Sequence, residues 1–259
     1  DLTAKSIGYI GGSFGFDSDL LARGATLTGI TLPLNASVLT GFQVIAVDDA
    51  IYSLSANDIQ LLRSWVQSGN GLLMNGDNSS SMPNINSLLD GSGIAQYYFG
   101  GSTGIISNFL PHDITRGVTQ IYEGAYQGAS NVSGSARAIA FDPAGRIFTA
   151  VSYLGGGRIV AIGNEIRAAD FSIGETRQFS NQIIDWLACG GGAPYLVLNP
   201  TSGIIAAGQS HSVDIKFDAS QVEGGTSGNT YKSLVLVSHN DPAKDTVRVP
   251  VTLAVNADN

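Results

Sequence analysis

Short apolar runs alternate with amphipathic ones along the first 190 residues of the chain. Ser6–Ile10 reads as a strand that ends in a glycine-rich turn, Gly11-Gly12-Ser13-Phe14-Gly15. Ser18 then stands where it can cap a short helix through Leu20, Leu21 and Ala22, which Gly24 ends. Residues 42–47 (FQVIAV) are apolar almost throughout, the pattern of a strand buried on both faces, and Asp48-Asp49 closes them. Ser55-Ala-Asn-Asp58 has the form of a capping box, with the acid at the third helical position. Behind it, Ile59, Leu62 and Val66, with Leu61 and Trp65 beside them, make a helical stripe that stops at Gly69. Gly71–Asn75 is a second short buried strand. Strand, helix and strand in this rhythm predict βαβ units and a parallel sheet.

The middle of the chain is less regular. Residues 83–89 predict a short helix, and 91–104 read as a glycine-rich excursion carrying Tyr97, Tyr98 and Phe99. Residues 136–141, 148–153 and 158–162 predict three strands separated by turns at 142–145 and 155–157. Thr176–Ala188 places Phe179, Ile183, Trp186 and Leu187 at helical spacing. Residues 1–190 are therefore expected to form an α/β domain, a mostly parallel open sheet with helices on both faces. The texture changes after Ala193-Pro194. Residues 195–198, 212–217 and 233–237, together with Thr246–Val255, are alternating β-type runs separated by Gly, Pro, Asn and Asp turns. No helical period appears there, so residues 191–259 are expected to be a small all-β sandwich.

Composition narrows the function classes. At roughly 150 residues per domain, 259 residues make about two domains. Hydrophobic residues are 43% and charged residues 13%, enough apolar surface for a sizeable core and the wrong balance for a disordered chain. No apolar run approaches the roughly 18 residues of a membrane span. The formal net charge is −8 and no Lys/Arg cluster occurs, which argues against nucleic acid as a partner. The single cysteine, Cys189, excludes an internal disulfide and any multi-cysteine zinc site. Few lysines and many Asn, Ser, Thr and Gly point to an exported protein, secreted or on a bacterial cell surface. Because the sequence starts at Asp1 without a leader, this start is expected to be a boundary inside a longer precursor.

The candidate chemistry gathers at predicted strand ends, where open parallel sheets bind ligands. Asp48, Asp49, Asp77 and Glu165 follow three of these ends and could share one rim, with Asp17 and Asp19 near it. Hard oxygen ligands in that number could hold Ca²⁺; helix capping and solvated loops are the other reading. Gly11 to Gly15 reads G-G-x-x-G, short of a dinucleotide fingerprint. Tyr97, Tyr98 and Phe99 could form an exposed binding surface, or pack over a sheet edge. His112 is the sole histidine before residue 190 and reads as a loop residue bonded to backbone. A triad of His112 with Ser79 or Ser80 and Asp49 or Asp77 has no G-x-S-x-G elbow to support it.

Two resemblances add to this reading. Pro200-Thr-Ser-Gly203, Gly208-Gln-Ser210, residues 213–219, 231–242 and 247–255 resemble a family of bacterial immunoglobulin-like modules at the ends of secreted proteins. Residues 65–74, 111–118 (PHDITRGV), 155–164 (GGGRIVAIGN) and 181–187 (NQIIDWL) resemble the degenerate, non-catalytic branch of the glutamine-amidotransferase-like, flavodoxin-like fold. The pair of modules is similar to the region behind the catalytic domain of some secreted subtilisin-like proteases. In active amidotransferases a cysteine sits on a tight strand-to-helix turn; the corresponding turn here is Asn75-Gly76-Asp77-Asn78, without cysteine. The resemblance therefore implies an accessory region without catalytic residues or cofactor. Its partner would be another protein or an upstream domain of the same precursor. A self-associating surface protein and a residual metal-dependent hydrolase are the alternatives.

Overall fold

The computed structural model describes residues 2–12, 15–48, 53–76, 78–164, 171–188, 196–200, 203–205, 208–217, 229–238 and 246–255. The chain divides into two compact units, Asp1–Cys189 and Gly190–Asn259.

The first unit is built on a ten-stranded mixed sheet. Its parallel part takes β1 (Ser6–Ile10), β2 (Thr26–Gly29), β3 (Val44–Val47), β4 (Gly71–Asn75) and β10 (Gly157–Ile162). They lie in the order β2-β1-β3-β4-β10, all parallel. Counting β10 as the fifth parallel strand, this is the flavodoxin-like order, which reverses between β1 and β3. Every residue of β3 and β4 is buried, as strands covered on both faces require.

Beyond β10 the sheet turns antiparallel. It continues through β9 (Ile147–Leu154), β7 (Ile121–Val132) and β5 (Ile94–Ile106), and β8 (Arg137–Phe141) joins β9 to the short β6 (Asn108–Phe109). The 13-residue β5 corrects the expected glycine-rich excursion, and β7 was not foreseen at all. Gly100 and Gly101 (φ +100° and +115°) let β5 bulge between Tyr98 and Ser102 without leaving the sheet, which gives its sequence the texture of a loop.

Helices cover both faces. Phe16 and Leu20, at and in α1 (Asp17–Ala22), join Phe179, Ile183 and Trp186 of α5 (Thr176–Ala188) over Ile7, Ala46, Leu73 and Ile162. On the other face, α2 (Ala36–Leu39), α3 (Ala56–Gln67) and α4 (Met82–Leu89) set Leu39, Leu62, Val66, Ile85 and Leu88 against Ile45, Val47, Leu72 and Met74. The expected capping box of α3 is present in both directions: Asp58 N donates to Ser55 Oγ at 3.2 Å and Ser55 N donates to Asp58 Oδ2 at 2.9 Å. Helix α1 begins at Asp17 with Phe16 at the cap position, so the expected cap by Ser18 is absent; Asp17 and Asp19 complement its first turn instead.

In the second unit, β11 (Leu196–Asn199) pairs antiparallel with β12 (Asp214–Phe217), and β13 (Asn229–Ser238) with β14 (Thr246–Val255). The described residues form these two separate two-stranded sheets.

Candidate functional site

The strand order reverses between β1 and β3, which places the natural ligand crevice outside the carboxyl ends of the parallel strands. Gly11 and Gly12 follow β1, Asp48 follows β3, Asn75 is the last residue of β4, and Asn164 stands two residues beyond β10. Side chains alternate along a strand. Asp48, Asn75 and Asn164 are each two residues past Ala46, Leu73 and Ile162, which all pack on the α1–α5 side. The three polar side chains therefore lie on that same face.

Asn75 is wholly buried and its Nδ2 donates to Asp48 Oδ1 at 2.7 Å. The other oxygen of Asp48 points at the turn after β1, where a Cβ on Gly12 would stand 3.1 Å from Oδ2. From β7, Glu123 (2% exposed) accepts a hydrogen bond from Asn164 Nδ2 at 3.1 Å. Asp48, Asn75, Glu123 and Asn164 are all at least nine-tenths buried. Both carboxamides spend a donor on a carboxylate, and Asn75 Oδ1 has no hydrogen-bond partner.

Strand β7 crosses the ends of β4 and β10 at very close range. Gly128 N donates to Gly163 O at 3.0 Å, and a Cβ on Gly128 would stand 1.5 Å from Gly76 O. Only glycine allows this approach. On the neighbouring strand, Gln96 Nε2 donates to Ile162 O at 2.9 Å, and Gln96 Oε1 fills the space beside Gly76 where a Cβ would point. The chain's own β5–β7 pair thus lies against Gly76, directly after β4.

Of the rim residues expected from sequence, Asp48 is placed on this cluster, whereas Asp49, Asp77 and Glu165 lie outside the described residues, as does Cys189. Among the described residues no three His, Cys, Asp or Glu side chains group closely enough to hold a metal by themselves. Asn75, Glu123 and Asn164 were not singled out from sequence. Asn75 and Asn164 carry a usable signal, a polar residue where a buried strand ends, but Glu123 sits in a segment whose strand was unrecognised.

Tyr97, Tyr98 and Phe99 do not make one exposed surface. Strand alternation sets Tyr98, 40% exposed, on the opposite face from its two neighbours. Phe99 is covered by the Arg146 guanidinium, 3.5 Å from the ring centroid. His112 caps a single 3-10 turn (Asp113–Thr115), its Nδ1 accepting from Ile114 N at 3.2 Å. Its ring stands edge-on to Trp186, 5.3 Å between centroids, in the last turns of α5. Arg158, at the start of β10, donates to Trp186 O at 2.9 Å. His112 is thus at the amino end of the parallel strands. From Arg158 to Asn164 is six residues of extended chain, roughly 20 Å, so His112 cannot serve the strand-end cluster. Burial, then the Arg137 charge, pushes its imidazole down to about 4.

No protein-family model and no curated protein matches the sequence. Solved structures do match. The N-terminal domain of mmIFT52 superposes with a TM-score of 0.63 at 15% identity, covering 72% of this chain and 99% of that one. A GMP synthase-type protein from Thermoplasma acidophilum gives 0.52 at 11% identity, covering 72% and 95%. A ThuA-like protein from Bacteroides uniformis gives 0.51 at 10%, covering 71% and 90%. At these identities the likeness is one of fold: the amidotransferase-like, flavodoxin-like architecture. No helix among the described residues is long and apolar enough to cross a membrane.

Proposed function

We propose that this chain is a non-catalytic accessory region of an exported bacterial protein, the C-terminal part of a secreted subtilisin-like protease, in which the α/β unit is a docking or binding platform. The observation that supports the reading most is the closure of the strand ends by the chain itself. Gly128 presses on Gly76, and Gln96 fills the space beside it, where an amidotransferase needs a reactive thiol and room for glutamine. The sequence adds that the chain's one cysteine stands at 189, not on the Asn75-Gly76-Asp77-Asn78 turn. The second unit is proposed to be an immunoglobulin-like sandwich acting as spacer or substrate contact; its antiparallel pairs and its alternating sequence pattern are compatible with that. Export is supported by composition and by the module's sequence pattern.

The purified chain is expected to leave glutamine, p-nitrophenyl esters and casein unhydrolysed, while binding the upstream protease domain of its own precursor in a pull-down. Turnover of any of these substrates that disappears when a strand-end residue is substituted would overturn the non-catalytic reading. Failure to bind the upstream domain would remove the docking role.

A second reading, self-assembly at a surface, is favoured by one feature. The edge strand β5 carries no charged residue over 13 positions and exposes Tyr98 and Ile105 (40% and 47%). A concentration-independent monomer in size-exclusion chromatography would dismiss it.

A further inference from the structure

The main run of the sheet ends in two edge strands, β2 and β5, and the fold treats them differently. At the β5 end, Asn86 of α4 bonds both backbone groups of Gln96. Gln96 N donates to Asn86 Oδ1 at 2.8 Å, and Asn86 Nδ2 donates to Gln96 O at 2.9 Å. The bulge at Gly100 and Gly101 follows, and a bulge also interrupts an edge. Strand β2 has neither device among the described residues and pairs there with β1 alone. Thr26 N and Ile30 N donate inward, to Lys5 O and Tyr9 O, both at 2.8 Å. Alternation along the strand then turns the N–H and C=O of Leu27 and Gly29 outward. Thr26, Thr28 and Gly29 are exposed, and what a glycine exposes is backbone.

We propose that the outer edge of β2 docks a second copy of this chain, the two β2 strands pairing antiparallel about a two-fold axis at Thr28. Leu27 then exchanges both of its outward groups with Gly29 of the partner subunit. Thr28 stands opposite the partner subunit's Thr28, roughly 4.5 Å between Cα atoms, as a favourable cross-strand threonine pair. Charge selects this occupant. The chain carries a formal net charge of −8, so two copies repel wherever acidic surfaces meet. No charged residue stands between Arg23 and Asp48, the stretch that forms β2, α2 and β3. Arg23 itself is turned onto Asn181 and Asp185 of α5. An uncharged edge is one that an acidic chain can present to itself, and an antiparallel edge is its own complement in donors and acceptors. Leu21 of α1, which adjoins β2, is 56% exposed and adds apolar surface near this edge. Four residues make a short edge, so the pairing belongs to the weak, reversible class of interfaces. It is independent of the accessory role, and it uses the opposite end of the sheet from β5, on which the self-assembly reading rests.

Sedimentation equilibrium of the full chain, from about 10 μM to about 1 mM, reads the association directly. The parent is expected to pass from monomer to dimer and to stop there, because a two-fold contact closes on itself. Thr28→Lys sets like charges opposite each other across the axis and should weaken the dimer at least tenfold at low salt. Part of that loss should return in about 0.5 M sodium chloride, a recovery that a misfolded variant cannot show. Ile105→Lys, on β5, should leave the dimer unchanged. The proposal is overturned if the parent stays monomeric throughout, if it grows past the dimer, or if Thr28→Lys keeps the parent affinity. It is equally overturned if Ile105→Lys weakens the association as much as Thr28→Lys does, which would place the contact at β5 and carry the self-assembly reading instead.

Discussion

Acid should weaken the first unit in part through His112. The ordinary imidazole titrates near 6.5, and burial against Trp186, with Arg137 and Arg158 adding repulsion that Asp113 only partly offsets, brings it down to about 4. Between these values the unfolded chain binds one proton more than the folded one, so stability falls as pH falls. The contribution is complete above about pH 6.5 and gone below about pH 4. A separation of that width, at 1.36 kcal/mol per pH unit, amounts to about 3 kcal/mol. His112→Asn removes the titrating group yet keeps an acceptor for Ile114 N, since asparagine is a favoured cap. At neutral pH the variant should be about 1 kcal/mol less stable through the lost edge-on contact with Trp186. The measurement is urea unfolding from pH 7.5 to 4. Tryptophan fluorescence isolates the first unit, because both tryptophans, Trp65 and Trp186, lie within Asp1–Cys189. Carboxylates titrate alike in both proteins and cancel in the difference. The wild-type advantage should shrink by about 3 kcal/mol across the range and change sign at about pH 5.8, where the first 1 kcal/mol has been lost. Parallel pH profiles, or an NMR titration of His112 near 6.5, would refute the reasoning.

Three further outcomes follow from the same structure. Asp58 carries the capping box and also accepts from Leu34 N at 2.6 Å; burial raises its pKa, but these bonds prevail and hold its carboxyl below the usual range. Asp58→Ala should therefore cost about 2–3 kcal/mol in urea unfolding at pH 7, with the penalty fading in acid as the parent carboxyl protonates. Gly128→Ala should cost about 3 kcal/mol or more, or block folding, because its methyl would overlap Gly76 O, whereas Gly134→Ala, in open space at φ +59°, should cost about 1 kcal/mol as read by thermal midpoint. Asn181 links Arg23 and Asp19, tying α1 to α5 at 2.7 and 3.0 Å; Asn181→Leu should lower stability by about 1 kcal/mol and raise amide exchange in α1.

How much of this was legible in the sequence depends on what each segment has to bury. Strands β3 and β4 are enclosed on both faces, so their apolar runs identify them without ambiguity, and α3 shows both its cap and its stripe. Strands β5 and β7 answer to a different demand. Where they close the strand ends they must approach backbone to backbone, which selects glycine at Gly76, Gly128 and Gly163, and they must match polar strand ends, which selects Gln96 and Glu123. Glycine and buried polar residues are also what loops contain, so the closing strands look like loops. The candidate site divides the same way. Asp48 could be named because it ends an apolar run; its partner Asn75 and the Glu123–Asn164 pair are defined by register between strands distant in sequence, such as Asn75 beside Ile162. Closure and the orphaned Asn75 oxygen thus have one origin. A crevice covered by the chain's own backbone keeps its polar lining in buried pairs, Asp48 with Asn75 and Glu123 with Asn164, while Gly128 and Gln96 take the space beside Gly76.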